Sequence, residues 1–172
     1  MDGVALAARL NSARLAGETE VSLTNPEEPL TMAAWQAAGV QALPSVVRLQ
    51  LHLQDWDADG FAGLVKAFPA LTELELKYER SAMLWLGLAP LLAALWGRPL
   101  RKLSINRLGT DGASALPPGP PAFLTTLECL KVSSLDGPQL EPLLNLGPFP
   151  ALQELEVGKV QLPLIEAAAP AL

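Results

Sequence analysis

Asp55, Asp57 and Asp59 stand at alternate positions before Gly60. Acids at positions 1, 3 and 5 with glycine at 6 open a calcium-binding loop, whose oxygen ligands suit a hard cation. The twelfth position, where a bidentate Glu completes such a loop, is Lys66. An ammonium cannot replace that anion. The acids also follow a strand-like run, whereas the calcium loop follows a helix. The expectation is an acidic turn in which Asp59 caps the next helix, with no metal bound. His52 is the only histidine and Cys129 the only cysteine. A general base needs a nucleophile or acid beside it. Gln50 lies near His52, and Lys77 is expected one strand over; neither makes such a pair. His52 is expected at the surface. Cys129 lacks a second histidine to activate it. In the strand order derived below, His52 lies three strands away, about 14 Å at ~4.8 Å per strand. No glycine-rich phosphate loop and no G-x-S-x-G elbow occurs. Catalysis and cofactors are not expected.

Other features call for binding chemistry rather than reaction. Pro117-Pro118-Gly119-Pro120-Pro121 has the composition of a polyproline ligand, though a rigid detour in place of a helix explains it as well. Trp35, Trp85 and Trp96 are expected in the core or against helices, and Trp56 as an exposed anchor. Arg98, Arg101, Lys102 and Arg107 form a basic cluster with no acid between them, expected to be solvated charge. The chain carries a net charge of −6. That balance disfavours nucleic acid, whose backbone rewards clustered Lys and Arg.

The elements that position these residues are written as a repeat. Val46-x-x-Leu49-x-Leu51, Leu71-x-x-Leu74-x-Leu76, Leu100-x-x-Leu103-x-Ile105, Leu127-x-x-Leu130-x-Val132 and Leu152-x-x-Leu155-x-Val157 start 25, 29, 27 and 25 residues apart. A weaker copy, Glu18-x-x-Val21-x-Leu23, precedes them by 28 residues. Alternation of apolar and polar residues predicts strands buried on one face. Between strands, Phe61, Leu64, Val65 and Phe68 make a helical stripe ended by Pro69. Further helices are predicted over Thr31–Ala42 and Ser81–Trp96. Shorter ones are predicted from Asp111 and over Gln139–Leu144. Strands joined through helices run parallel, and a unit this small must stack on its neighbours to bury its apolar edge.

With half of its 172 residues hydrophobic, the chain can bury a sizeable core as one domain. The N-terminus lacks a basic leader with a long apolar run, so no signal peptide is expected. The most apolar stretch, Ala82–Trp96, contains Pro90 and falls short of the ~20 residues of a membrane span. The single cysteine is compatible with a reducing compartment. A cytoplasmic or nuclear protein is expected, without membrane association.

The pattern resembles leucine-rich repeats of the ribonuclease-inhibitor and F-box types. The likeness is clearest from Asp59-Gly60-Phe61-Ala62-Gly63-Leu64 through Leu71-Thr72-Glu73-Leu74-Glu75-Leu76, and it recurs in Leu108-Gly109-Thr110-Asp111-Gly112-Ala113. The resemblance implies an α/β solenoid, or horseshoe, of about five to six repeats, with parallel strands on the concave face and helices on the convex one. Residues 1–17 would form an N-terminal capping helix, with Leu6 and Leu10 on its inner side. Residues 18–172 would form the repeat domain, with its C-terminal end uncapped after Leu162–Leu172. The family's Asn or Cys three residues past each strand is missing: Gln54, Glu79, Leu108, Leu135 and Val160 stand there.

Such a fold implies a non-catalytic module or scaffold that binds a protein partner on its concave face. The face is expected to carry Arg48, Gln50 and His52; Glu73, Glu75 and Lys77; Lys102, Ser104 and Asn106; Lys131 and Ser133; and Glu154 and Glu156. Glu20, Ser22, Thr24, Cys129 and Gly158 share its register. One alternative is a structural subunit docked through the open C-terminal end. The other is the substrate-recognition part of an F-box-type ubiquitin ligase, although the 17 residues before Glu18 are too few for an F-box.

Overall fold

The computed structural model describes residues 2–25, 27–78, 87–106, 116–133 and 146–158. The predicted helices over Ser81–Trp96, from Asp111 and over Gln139–Leu144 fall wholly or partly outside these residues, as do Trp85, Arg107 and Leu162–Leu172.

Helix α1 (Gly3–Ala16) opens the chain. Asp2 caps it by accepting a hydrogen bond from the Ala5 amide at 2.8 Å. Gly17, at φ 64°, closes it in the left-handed conformation that glycine adopts without steric cost. Its Leu6, Leu10 and Ala13 are buried. Strand β1 (Glu20–Leu23) follows, then the short β2 (Leu30–Thr31) and α2 (Met32–Ala38), which Thr31 caps through the Ala34 amide. Next come β3 (Arg48–Gln54), α3 (Ala58–Ala67) and β4 (Glu73–Tyr78), then α4 (Leu88–Leu95) and β5 (Lys102–Ile105). A 3-10 turn at Ala122–Thr125 leads to β6 (Cys129–Val132), and β7 (Glu154–Val157) is last.

The seven strands among the described residues belong to one parallel sheet that does not close. Its order is β1-β3-β4-β5-β6-β7, with β2 beside the end of β3. The weaker copy at Glu18 therefore pairs as a full strand. The register is continuous: Val21, Leu49, Leu74, Leu103, Leu130 and Leu155 stand side by side. The first five are buried and join Phe61, Leu64, Leu91 and Leu95 of the helices in one hydrophobic cluster. The α/β reading with a parallel sheet holds. Helix α1 lies against α2, and α3 against α4. Among the described residues, no helix is long and apolar enough to cross a membrane.

Three local expectations need correction. Asp57, not Asp59, caps α3: its carboxylate accepts from the Gly60 amide at 2.7 Å, and Asp59 falls in the first turn, where the helix dipole favours an acid. Trp56 is not exposed. It is 1% accessible, and its indole Nε1 donates to the Leu30 carbonyl at 2.7 Å. Trp35 packs 6.3 Å from it and 6.2 Å from Phe68, ring centre to ring centre. Two members of the basic cluster have fixed partners rather than water alone. The Arg98 guanidinium donates to the carbonyls of Pro69 and Val65 at the end of α3, and Arg101 pairs with Glu128. Pro90 is accommodated within α4. It sits in the first turn, where its missing N–H has no intrahelical acceptor to lose.

Tyr78 is 2% exposed at the end of β4, and among the described residues its hydroxyl has no hydrogen-bond partner. Burial pushes its pKa up, so it stays protonated. A buried unsatisfied polar group costs roughly 1–3 kcal/mol. Tyr78→Phe should therefore raise the unfolding free energy by about 1 kcal/mol, read from the urea midpoint at unchanged slope.

Candidate interaction face

Alternation puts the odd-numbered members of β1 and β3 under the helices and leaves the intervening residues on the other side of the sheet. Two files of polar side chains cross that open side in register. One runs Glu20, Arg48, Glu73, Lys102, Cys129, Glu154; the other runs Ser22, Gln50, Glu75, Ser104, Lys131, Glu156. His52 and Lys77 begin a third.

Neighbouring strands satisfy most of these charges. Arg48 Nε donates to Glu73 Oε2 at 2.8 Å, and its Nη1 lies 3.4 Å from Glu20. The Glu73 hydrogen bond leads the causes that raise the Arg48 pKa. Gln50 donates to Glu75 at 3.1 Å, and Lys77 stands 3.0 Å from the same carboxylate. Lys131 bridges Glu154 and Glu156. Lys102 differs: among the described residues, no carboxylate stands within ion-pair distance of it. It borders a shallow depression of about 40 Å³ with Arg48, Gln50, Glu73 and Glu75. A larger depression of about 170 Å³ lies between α1 and the turn after α2. Its polar side chains, Asn11, Arg14 and Gln41, are all exposed, and Arg14 donates to Asn11 at 2.9 Å, so it presents no converging chemistry.

Two expected face residues serve the fold instead. His52 is only 8% exposed, and its Nδ1 lies 3.3 Å from the Asn25 carbonyl. The surface placement fails because β3 runs on to Gln54 and the chain near β2 folds over its end. Asn106 turns its Oδ1 to the Tyr78 amide at 2.8 Å, satisfying backbone on the adjacent strand. Ser104 is half-buried, and Ser133 is exposed at the end of β6. The sequence reading missed the Arg101–Glu128 pair at the strand entrances, a two-point contact at 3.0 and 2.9 Å. Its 27-residue spacing, equal to one repeat, is the signal that pairs them.

Cys129 donates its thiol to Glu154 Oε2 at 3.1 Å. Burial, and then this hydrogen bond, push its pKa up. The Lys131 hydrogen bond, and then the Cys129 one, hold Glu154 below its usual range. The site thus favours a thiol and disfavours a thiolate, the opposite of an activated nucleophile. The raised thiol pKa contributes stability below the unfolded thiol's pKa, and this is lost as pH rises through the folded value. The lowered Glu154 pKa contributes stability above the unfolded carboxylate's pKa, lost on acidification through the folded value. Iodoacetamide should alkylate Cys129 more slowly in the native chain than in urea at pH 8.5. Glu154→Gln should narrow that difference. Among the described residues, no group of three or more His, Cys, Asp or Glu is placed to hold a metal ion.

Fold and face together define an α/β protein with one side of an open parallel sheet buried under helices and the other side polar. Comparison with protein-family models, curated proteins and solved structures gave no match to this chain.

Proposed function

We propose that this chain is a leucine-rich-repeat module, curved with its strands inside and its helices outside, that binds a folded protein partner across the open sheet face and performs no catalysis. The observation that carries this reading is the unbroken register of six strands, which lines half-exposed polar side chains into files opposite a buried leucine face. The 25 to 29-residue period of strand and helix supports the repeat class. A face of mixed, mutually paired charges suits recognition of a particular surface rather than general attraction to a polyanion or polycation, because complementary charge governs specificity and association rate.

Affinity capture from native lysate, with and without added salt, tests the reading. A partner retained by the wild-type chain should be lost from a variant with Ser104→Arg and Ser22→Arg, which crowd the face without touching the core. Equal capture by both chains contradicts it. Steady turnover of any substrate that Cys129→Ala abolishes would contradict the non-catalytic part.

A further inference from the structure

The open face is banded by strand. β4 turns Glu73 and Glu75 to it, and β7, three strands on, turns Glu154 and Glu156 to it. Each acidic band leans on a cation shared by two carboxylates. Arg48 reaches Glu73 and Glu20, and Lys131 reaches Glu154 and Glu156. Each of these groups therefore keeps one negative charge over, while Glu75 is matched by Lys77. Between the bands stands Lys102 on β5, in register with Glu73 on one side and Cys129 on the other. It is half-buried, and among the described residues no hydrogen bond or ion pair holds its ammonium. Ser104, two residues on along the same face, is half-buried as well, and its hydroxyl makes no hydrogen bond to a described residue. A half-buried ammonium has lost part of its hydration, and a carboxylate that takes the place of the rest restores a charge-assisted hydrogen bond.

From this order of charge we infer that the open face takes a helix of the partner protein laid across the strands, carrying one acid between two bases. The acid meets Lys102 and Ser104. One base meets Glu73 and Glu75, and the other meets Glu154 and Glu156. The inference rests on the open-face reading and names the partner's contact chemistry. Strands lie ~4.8 Å apart and a helix rises about 1.5 Å per residue, so one strand step spans about three residues and three steps span about ten. A base at position i, an acid at i+3 and a base at i+10 thus stand above β4, β5 and β7, on one side of the helix. A run of bases would meet Lys102 with like charge, and a run of acids would meet both bands with like charge. A dianionic phosphoryl group fits less well than a carboxylate, because Glu73 and Glu154 flank the one ammonium in the same file.

The test titrates the full chain at low salt with two alanine-based helical peptides of equal composition, followed by NMR chemical shifts. One carries lysine at i, glutamate at i+3 and lysine at i+10. The other is permuted, with glutamate at i and lysine at i+3 and i+10, so both have the same net charge. The first should bind at least about fivefold tighter and shift the amides of Glu75, Ser104 and Lys131. Lys102→Ala should remove that preference, so that the two peptides bind alike. Lys66→Ala, the same charge change on the exposed side of α3, should keep it. Equal binding of the two peptides to the wild-type chain overturns the proposal, and so does no binding of either at millimolar concentration. A preference that survives Lys102→Ala, or that Lys66→Ala also removes, overturns it too. Equal binding with shifts on the open face removes this charge order and leaves the face reading standing. Shifts confined to helix residues such as Lys66 remove both.

Discussion

Leu103→Ala is expected to lower the unfolding free energy by roughly 2–5 kcal/mol, the range for a buried leucine truncated in a packed core. Leu103 is 1% exposed at the middle of the sheet, between Leu74 and Leu130 and under the helix layer. Its neighbours belong to two adjacent strands already fixed by hydrogen bonds, so the site has little freedom to collapse around the missing methyl groups. The next residue, Ser104, points to the opposite face. Ser104→Ala is therefore expected to change stability by less than about 0.5 kcal/mol. Urea denaturation of both variants reads the contrast directly. Similar losses at the two positions would mean that both faces are covered.

The second large effect concerns binding. Glu73→Lys with Glu75→Lys should weaken partner affinity by about tenfold or more, because two reversed charges at the centre of the face oppose whatever basic groups the partner presents there. The fold is expected to survive. These carboxylates lie on the uncovered side, and the pairs they make with Arg48, Gln50 and Lys77 are surface pairs of small individual worth. Reversal would also place a new cation between Arg48 and Lys102 in the same file. Circular dichroism should show a folded chain, and binding measured at low salt should be lost first through the association rate.

The sheet was legible in the sequence because its burial pattern has a period of two and its strands recur at nearly constant spacing. Those two regularities place Leu49, Leu74, Leu103 and Leu130 in register without further information. The helices were legible where a cap and a stop bracket an apolar stripe, as at α3 between Asp57 and Pro69. The choice between Asp57 and Asp59 as the cap turned on which carboxylate reaches the Gly60 amide, a matter of one residue's backbone angle. The burial of Trp56 and His52 was not legible. Their partners, the carbonyls of Leu30 and Asn25, lie 26 and 27 residues away in the chain. Side-chain chemistry alone does not say that the chain near β2 returns over the end of β3. Asn106 illustrates the same limit. It occupies the first position after its strand rather than the third, yet it still serves a backbone amide across the sheet.

Lysine labelling of the complex tests the central claim most directly. Lys77, Lys102 and Lys131 stand on the open face, whereas Lys66 is exposed on α3. Acetylation rates measured by mass spectrometry, free and partner-bound, should fall at Lys77, Lys102 and Lys131 and stay constant at Lys66. Protection of Lys66 with unchanged labelling of the three face lysines would place the partner on the helices and contradict the account.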